Sequence, residues 1–368
     1  MQEIQKKLGF GAMRLPMLNN EVDTAQVSRM VDAFLENGFN YFDTAHGYID
    51  GKSERALKTC LTSRYPRERY LLADKLSGPF FKSEADIRPL FESQLEACGV
   101  EYFDFYLMHA QGAESFAHFK ACRAYETAQA LLAEGKIRHL GISFHDKAEV
   151  LEQILTEYPM LEFVQLQFNY LDYDDPIVQS GACYDVCCKH GKPVIVMEPV
   201  RGGLLATLPD NARAPLDALH GGSPASYAIR YAAGFENIRL VLSGMSTEEQ
   251  MRDNVSYMKD FAPLTETERA AVAEVRDIFR REVLIPCTSC RYCTAGCPKD
   301  IPIPDIFSVM NRKKLHPYID DEKAYRDACA GKGDAAACIR CSRCELECPQ
   351  HLPIRALLSD AAKKYGKL

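Results

Sequence analysis

Short apolar runs alternate with longer amphipathic stretches from the start of the chain to about residue 260. The runs are Leu8 to Met13, Tyr41 to Thr44, Tyr70 to Lys75 and Phe103 to His109, then His139 to Ser143, Val164 to Gln167, Pro193 to Met197 and Leu240 to Ser243. Continuous apolar runs of this length predict strands covered on both faces, as in a parallel sheet. Between them, apolar residues recur three and four apart, as Val27, Met30, Val31, Phe34 and Leu35 do, which predicts helices with one face on the sheet. Thr247 with Gln250, and Thr265 with Glu268, are capping-box patterns that mark two helix starts.

Eight strand–helix units in roughly 260 residues match the count and length of an α/β protein built as a (β/α)8 barrel, the TIM-barrel architecture. A doubly wound open sheet is the rival, but it usually opens on a G-x-G-x-x-G turn, which the first turn here lacks. The barrel is expected over residues 1–262, a connector over 263–286 that is helical from Thr265 to Glu282, and a separate small module over 287–368. That module is too small and polar to fold well unaided, so its core is expected to be metal rather than side chains.

Composition narrows the function. With 44 basic against 51 acidic residues the net charge is -7, so no basic face for nucleic acid is expected. The first ten residues, MQEIQKKLGF, carry charge and no apolar core, so no secretory signal is expected. No apolar run approaches the roughly 18 residues a membrane helix needs, and the cytoplasm is the expected address.

Fifteen cysteines stand out, eight of them in two windows of eleven residues, Cys287 to Cys297 and Cys338 to Cys348. A disulfide framework belongs to short secreted chains, so clustering here points to metal. Both windows read Cys-x-x-Cys-x-x-Cys-x-x-x-Cys-Pro, which resembles the run that holds 4Fe–4S clusters in bacterial-type two-cluster ferredoxins. Thiolates at intervals of three can wrap three corners of a cubane, and the proline turns the chain away. By that resemblance Cys287, Cys290, Cys293 and Cys348 hold one cluster, and Cys338, Cys341, Cys344 and Cys297 the other. Structural zinc is the alternative, disfavoured by two complete runs that each end in Cys-Pro. Helical spacing around Ile306, Phe307 and Met310 makes the module look mainly helical. Cys183, Cys187 and Cys188, on one predicted helix, and Cys60, Cys98 and Cys122 read as small buried hydrophobes, with Cys329 undecided.

In a (β/α)8 barrel, residues at the strand C-terminal ends face the active site. Strand two ends in Phe42-Asp43-Thr44-Ala45-His46-Gly47-Tyr48, strand three in Ala73-Asp74-Lys75 and strand four in Leu107-Met108-His109. Asp43, Tyr48, Lys75 and His109 together can protonate a carbonyl oxygen: Tyr48 donates, Lys75 lowers its pKa, Asp43 holds Lys75, and His109 orients the substrate.

These residues resemble those of the aldo-keto reductases over residues 1 to about 260. The resemblance continues through Gly141-Ile142-Ser143, Gln165-Leu166-Gln167-Phe168-Asn169, Glu198-Pro199 with Gly202-Gly203, and Gly244 with Gln250 and Asn254. It implies hydride transfer from NADPH or NADH to an aldehyde or ketone, with Tyr48 as proton donor. It assigns the cofactor to Ser143, Gln165, Met197, Gly244, Gln250 and Asn254. Three departures alter that pocket: Phe144 stands for an Asn that binds the carboxamide, Met197 for an aromatic that stacks on nicotinamide, and Gly244 and Gln250 for a Lys and an Arg that clamp the 2′-phosphate. The C-terminal module implies an iron–sulfur branch of the family, carrying two 4Fe–4S clusters.

Hydride transfer moves two electrons and a cluster passes one, and no flavin motif is present to bridge them. Three readings follow: an NAD(P)H-dependent carbonyl reductase with clusters for structure or electron exchange; a reductase fed through the clusters by a ferredoxin or flavoprotein partner; and an electron carrier with a non-catalytic barrel. The third has no use for Tyr48 and Lys75 together.

Overall fold

The computed structural model describes residues 1–281, 284–315 and 319–366. Eight strands form a closed parallel barrel. They are β1 (Leu8–Gly11), β2 (Tyr41–Asp43), β3 (Leu71–Leu76), β4 (Phe103–Gln111), β5 (Ile137–Phe144), β6 (Phe163–Gln167), β7 (Val194–Met197) and β8 (Ile238–Ser243). Each neighbours the next, and β8 returns to β1 through the register Leu8↔Val241. Every predicted run overlaps one of these strands; β3, β4, β5, β6 and β8 extend one or two residues beyond the predicted bounds.

The helix Thr24–Glu36 between β1 and β2 buries Val27, Met30, Val31, Phe34 and Leu35, the five positions its spacing selects. Thr247 caps the helix Glu248–Met258 by accepting from Gln250 N. The helix Glu266–Arg281 begins directly after Thr265; Glu282, its expected last residue, and Val283 lie outside the described residues. One small feature escapes the apolar pattern. Met17–Leu18 and Glu21–Val22 pair as an exposed antiparallel hairpin, turned by Asn19 and Asn20 at φ 51° and 64°. Asn is among the side chains that tolerate the left-handed region such a turn needs.

Inside the barrel, Tyr41, Leu71, Ala73, Phe105, Leu107, Phe163, Ile195, Leu240 and Leu242 pack as one cluster. These positions share the inward face of each strand, since side chains alternate with period two. Gly141 belongs to the same layer: a Cβ there would stand 2.6 Å from the Phe163 ring. Side chains thus fill the barrel, and the next inward positions form its C-terminal rim.

The chain divides into two compact units, Met1–Pro199 with Ala225–Glu266, and Val200–Pro224 with Thr267–Leu368. The second contains the helices Ile303–Leu315, Asp321–Cys329 and Ile354–Tyr365 around Ile301, Ile303, Ile306, Phe307, Tyr325, Ile354 and Leu358. The expectation of a core made of metal rather than side chains is therefore corrected: this unit has a hydrophobic core, against which the cysteines pack. Cys329 belongs to it. Cys60, Cys98, Cys122, Cys183 and Cys187 are buried, but Cys188 is exposed. On the helix Ser180–Lys189, Cys183 and Cys187 are four apart and share the inner face, while Cys188 falls about 100° further round.

Candidate active site and cysteine cavities

The pleat that fills the barrel also builds the rim. Asp43 is the next inward residue after Tyr41, Lys75 after Ala73, His109 after Leu107, Gln165 after Phe163 and Met197 after Ile195. Lys75 Nζ donates to Asp43 Oδ1 at 2.6 Å and to the Thr44 carbonyl at 2.6 Å. Both side chains of this ion pair are buried, Lys75 completely. Gln165 Nε2 donates to the other carboxylate oxygen at 3.0 Å, so both oxygens of Asp43 are engaged.

Tyr48 reaches the same place from the loop after β2. Its N–H donates to the Ala45 carbonyl at 2.9 Å, and its carbonyl accepts from Gly51 and Ser53 N–H. Ile49 and Asp50 follow at φ 52° and 54°, a left-handed turn that costs roughly 1–2 kcal/mol per non-glycine residue. The loop thus fixes the Tyr48 backbone from both sides. Lys75 Nζ stands 4.8 Å from the centroid of the Tyr48 ring. The His109 ring meets the Tyr48 ring edge-on, with centroids 5.9 Å apart.

Burial, with the positive charge of Lys75 and then His145, pushes the His109 pKa well below the usual imidazole range. His109 is neutral, and its Nδ1 shares a 2.6 Å hydrogen bond with Ser77 Oγ. Asp43, Tyr48, Lys75 and His109 therefore stand together as a buried ion pair, a phenol and a neutral imidazole. A cation beside a phenol favours the phenolate, which suits that phenol to giving up a proton.

The residues assigned to a cofactor lie on the rims of β5 to β8 and just beyond. Ser143 Oγ accepts from the Ala110 N–H at 2.8 Å, and Met197 is half-buried at the end of β7. Asn254 Nδ2 donates to Ser243 Oγ at 2.6 Å. Gln250 turns back on its own helix start, its side-chain oxygen accepting from Ser246 N at 2.7 Å. Gly244 is exposed; a Cβ there would lie 3.7 Å from Arg14 Cβ. Arg14 Nη2 donates to Glu198 Oε1 at 3.1 Å, so the cation nearest Gly244 is paired with a carboxylate. Phe144, where a carboxamide ligand would sit, is buried.

In the second unit the eight cysteines form two all-sulfur sets. Cys287, Cys290, Cys293 and Cys348 line one cavity, and Cys297, Cys338, Cys341 and Cys344 another. Each window lends its last cysteine to the other cavity, as the ferredoxin resemblance implies. Burial pushes the Cys344 thiol up to about 11, aided by Glu345 and then by Cys338, Cys297 and Cys341. Cys293 is pushed up by burial and then by Cys290, Cys287 and Cys348. Four sulfurs gathered at each cavity need a cation to become thiolates together, which fits a metal centre.

Two features of the site were not expected. Ser77, the bonding partner of His109, sits two residues beyond Lys75, and the period-two pattern could have flagged it. Behind Lys75, on the outward face of β3, the Asp74 carboxyl is pushed well up by burial and then by the charge of Glu54. Glu54 is itself buried and pairs with His46 Nδ1 at 3.2 Å. Nothing local in the sequence pairs residues 54 and 74.

Residues 7–277 match the Aldo/keto reductase family and residues 286–352 the 4Fe-4S dicluster domain. The NADH-specific methylglyoxal reductase of Escherichia coli (strain K12) is 24% identical over 325 residues, covering 75% of this chain and 96% of that protein. The 9,11-endoperoxide prostaglandin H2 reductase of Trypanosoma cruzi is 25% identical, covering 72% and 89%. Among solved structures, an aldo-keto reductase from Bacillus halodurans in its holo form aligns with a TM-score of 0.60 at 25% identity, covering 74% of this chain and 92% of that one. A Klebsiella pneumoniae aldo-keto reductase in complex with NADPH shares the fold, with a TM-score of 0.60 at 19% identity over 74% and 95%. With its closed parallel barrel and its all-sulfur cavities, the chain belongs to the aldo/keto reductase family and is an oxidoreductase that carries a 4Fe–4S domain.

Proposed function

We propose that the barrel reduces a small aldehyde of the 2-oxoaldehyde class, such as methylglyoxal, with NADH as hydride donor and Tyr48 as proton donor. The observation that carries this reading is the buried Lys75–Asp43 pair with Tyr48 and a neutral His109 against it. Bound nicotinamide supplies the hydride. Asp43, held by Gln165, fixes Lys75; Lys75 keeps the Tyr48 phenol acidic; and Tyr48 delivers its proton to the carbonyl oxygen. In the tautomer whose Nδ1 accepts from Ser77 Oγ, His109 carries its proton on Nε2 and orients that oxygen from the other side.

Ser143, Gln165 and Asn254 offer polar contacts to the cofactor and Met197 an apolar one, so the rim fits a nicotinamide dinucleotide. The choice of NADH rests on Gly244 and Gln250, which supply no cation for a 2′-phosphate, and on Arg14, whose charge meets Glu198. The E. coli relative, NADH-specific and a methylglyoxal reductase by name, supports both the cofactor and the substrate class. The two cavities fit two 4Fe–4S clusters, held by Cys287, Cys290, Cys293 and Cys348 and by Cys297, Cys338, Cys341 and Cys344. A reduced-thiol cytoplasm is the setting in which such clusters persist. Among the described residues no helix is long and apolar enough to cross a membrane.

Steady-state assays on anaerobic, cluster-loaded protein test the reading. NADH with methylglyoxal is expected to give a kcat/KM at least tenfold above NADPH, and Tyr48→Phe to abolish turnover with iron content unchanged. Equal use of both cofactors would refute the assignment of Gly244 and Gln250. Turnover that survives Tyr48→Phe would refute the proton donor.

A further inference from the structure

The two cysteine cavities differ in how much protein covers them. Beside the first, Thr288 and Gln350 are buried, and the Cys287–Cys290 loop is pressed onto another segment of the same unit. A Cβ on Gly202 would stand 2.3 Å from the Thr288 carbonyl oxygen, so no side chain separates the two backbones. Arg291, next to Cys290, is turned into a two-point pair with Asp305 at 2.6 and 3.0 Å.

The second cavity opens outward. Cys341 is exposed. Of the second unit's described residues, the exposed large apolar side chains are Ile339 and Leu346, at 57% and 73%, and both fall within Cys338–Cys348. Arg340 and Arg343 are exposed between them, and Lys299 lines the cavity together with Ile339, Cys341 and Arg343. Arg343 and Leu346 are three apart on the short helix Arg343–Leu346 and share one face. Of the two acids in the window, Glu345 is committed to Arg355, accepting from its N–H at 2.8 Å and its Nε at 2.7 Å, which leaves Glu347. An apolar and cationic rim around a redox centre, on a chain of net charge -7, has the composition of an interface for an acidic partner.

We propose that the face formed by Ile339, Arg340, Cys341, Arg343 and Leu346, with Lys299 at its edge, docks a small acidic ferredoxin and is where electrons pass between that carrier and this protein. The proposal rests on the reading of Cys297, Cys338, Cys341 and Cys344 as ligands of a 4Fe–4S cluster. In each encounter one electron leaves the reduced ferredoxin, which is oxidised, and enters the cluster at Cys341, which is reduced; no atom or proton changes hands. Lys299 and the two arginines steer the acidic carrier, and Ile339 and Leu346 exclude water at the contact.

The test uses cluster-loaded full-length protein and a purified, net-acidic two-cluster bacterial ferredoxin, without NADH or any aldehyde. Binding is followed by calorimetry and electron transfer by anaerobic stopped-flow bleaching of the cluster absorbance. Saturable binding is expected that weakens at least tenfold from 50 to 300 mM salt and at least tenfold in Arg340→Glu/Arg343→Glu. That variant should keep full iron content and reduction by dithionite. Ile339→Ser/Leu346→Ser should slow electron transfer with the salt dependence retained. Lys363→Glu, on the exposed face of the last helix, should behave as the unaltered protein. Equal binding by the arginine variant, or no ferredoxin binding at millimolar concentration, would overturn the proposal. Self-association in sedimentation that the arginine variant abolishes would do so too, by giving the face to a second copy of the chain. Failure of the hydride reading would appear separately, in the NADH assays of Tyr48→Phe.

Discussion

Replacing Lys75 by Met tests how the proposed active site is held. The substitution keeps an unbranched side chain of similar length but leaves Asp43 buried, with the Gln165 amide at 3.0 Å remaining and both 2.6 Å contacts of the ammonium lost. Removing one partner of a buried pair costs about 3–5 kcal/mol, because the remaining charge is uncompensated. For a domain of this size, at roughly 2–4 °C per kcal/mol, Tm should fall by roughly 6–20 °C. Asp43→Asn/Lys75→Met removes both charges and should recover at least half of that loss. The chain has no tryptophan, so melting is best followed by far-ultraviolet circular dichroism at constant iron content. Both variants should lose at least a hundredfold in carbonyl reduction, since neither retains the cation beside Tyr48. A Tm for Lys75→Met within 2 °C of the unaltered protein, or a double variant less stable than Lys75→Met, would refute the buried-pair argument.

Three further outcomes are expected. Gly202→Ala places a Cβ 2.3 Å from the Thr288 carbonyl at a backbone φ of 64°, so the Cys287–Cys290 loop must shift; iron analysis and electron paramagnetic resonance should show loss at the first cluster with the second retained, and full iron content would contradict the packing. His109 has a lowered pKa, so the unfolded chain takes up this proton more readily; stability from the neutral ring is full above the ordinary imidazole pKa near 6.5 and is lost as pH falls below it. In imidazole NMR, His109 should stay neutral at pH 5.5, and a titration midpoint above 6.5 would contradict its burial beside Lys75. Cys341→Ser should leave NADH-dependent carbonyl reduction within about threefold while slowing exchange with one-electron donors; complete loss of the NADH activity in a folded variant would favour a reductase fed through the clusters.

The barrel was legible because strands covered on both faces must be apolar throughout, which marks all eight runs. The same logic exposed the candidate site: Asp43, Lys75 and His109 are polar residues that end such runs, one pleat beyond Tyr41, Ala73 and Leu107. The cysteine windows were legible because thiolate spacing is set by the cluster and not by tertiary context. Other features depend on partners distant in sequence. The Glu54–Asp74 contact joins residues that no local pattern relates, and the Asn19–Asn20 hairpin is too short to show alternation. Cys188 was grouped with Cys183 and Cys187 by type, although helical geometry turns it outward. The hydrophobic core of the second unit was underestimated because its apolar residues are spread among charged ones, from Ile285 to Leu358.

The most direct test of the central claim is deuteride transfer. Cluster-loaded protein is incubated anaerobically with NADH deuterated at C4 and the small aldehyde proposed as substrate, and the alcohol is analysed by mass spectrometry. Hydride chemistry at the Tyr48–Lys75 site predicts one deuterium on the former carbonyl carbon, and no product from Tyr48→Phe. Alcohol formed without deuterium, at a rate set by an added one-electron donor, would contradict it.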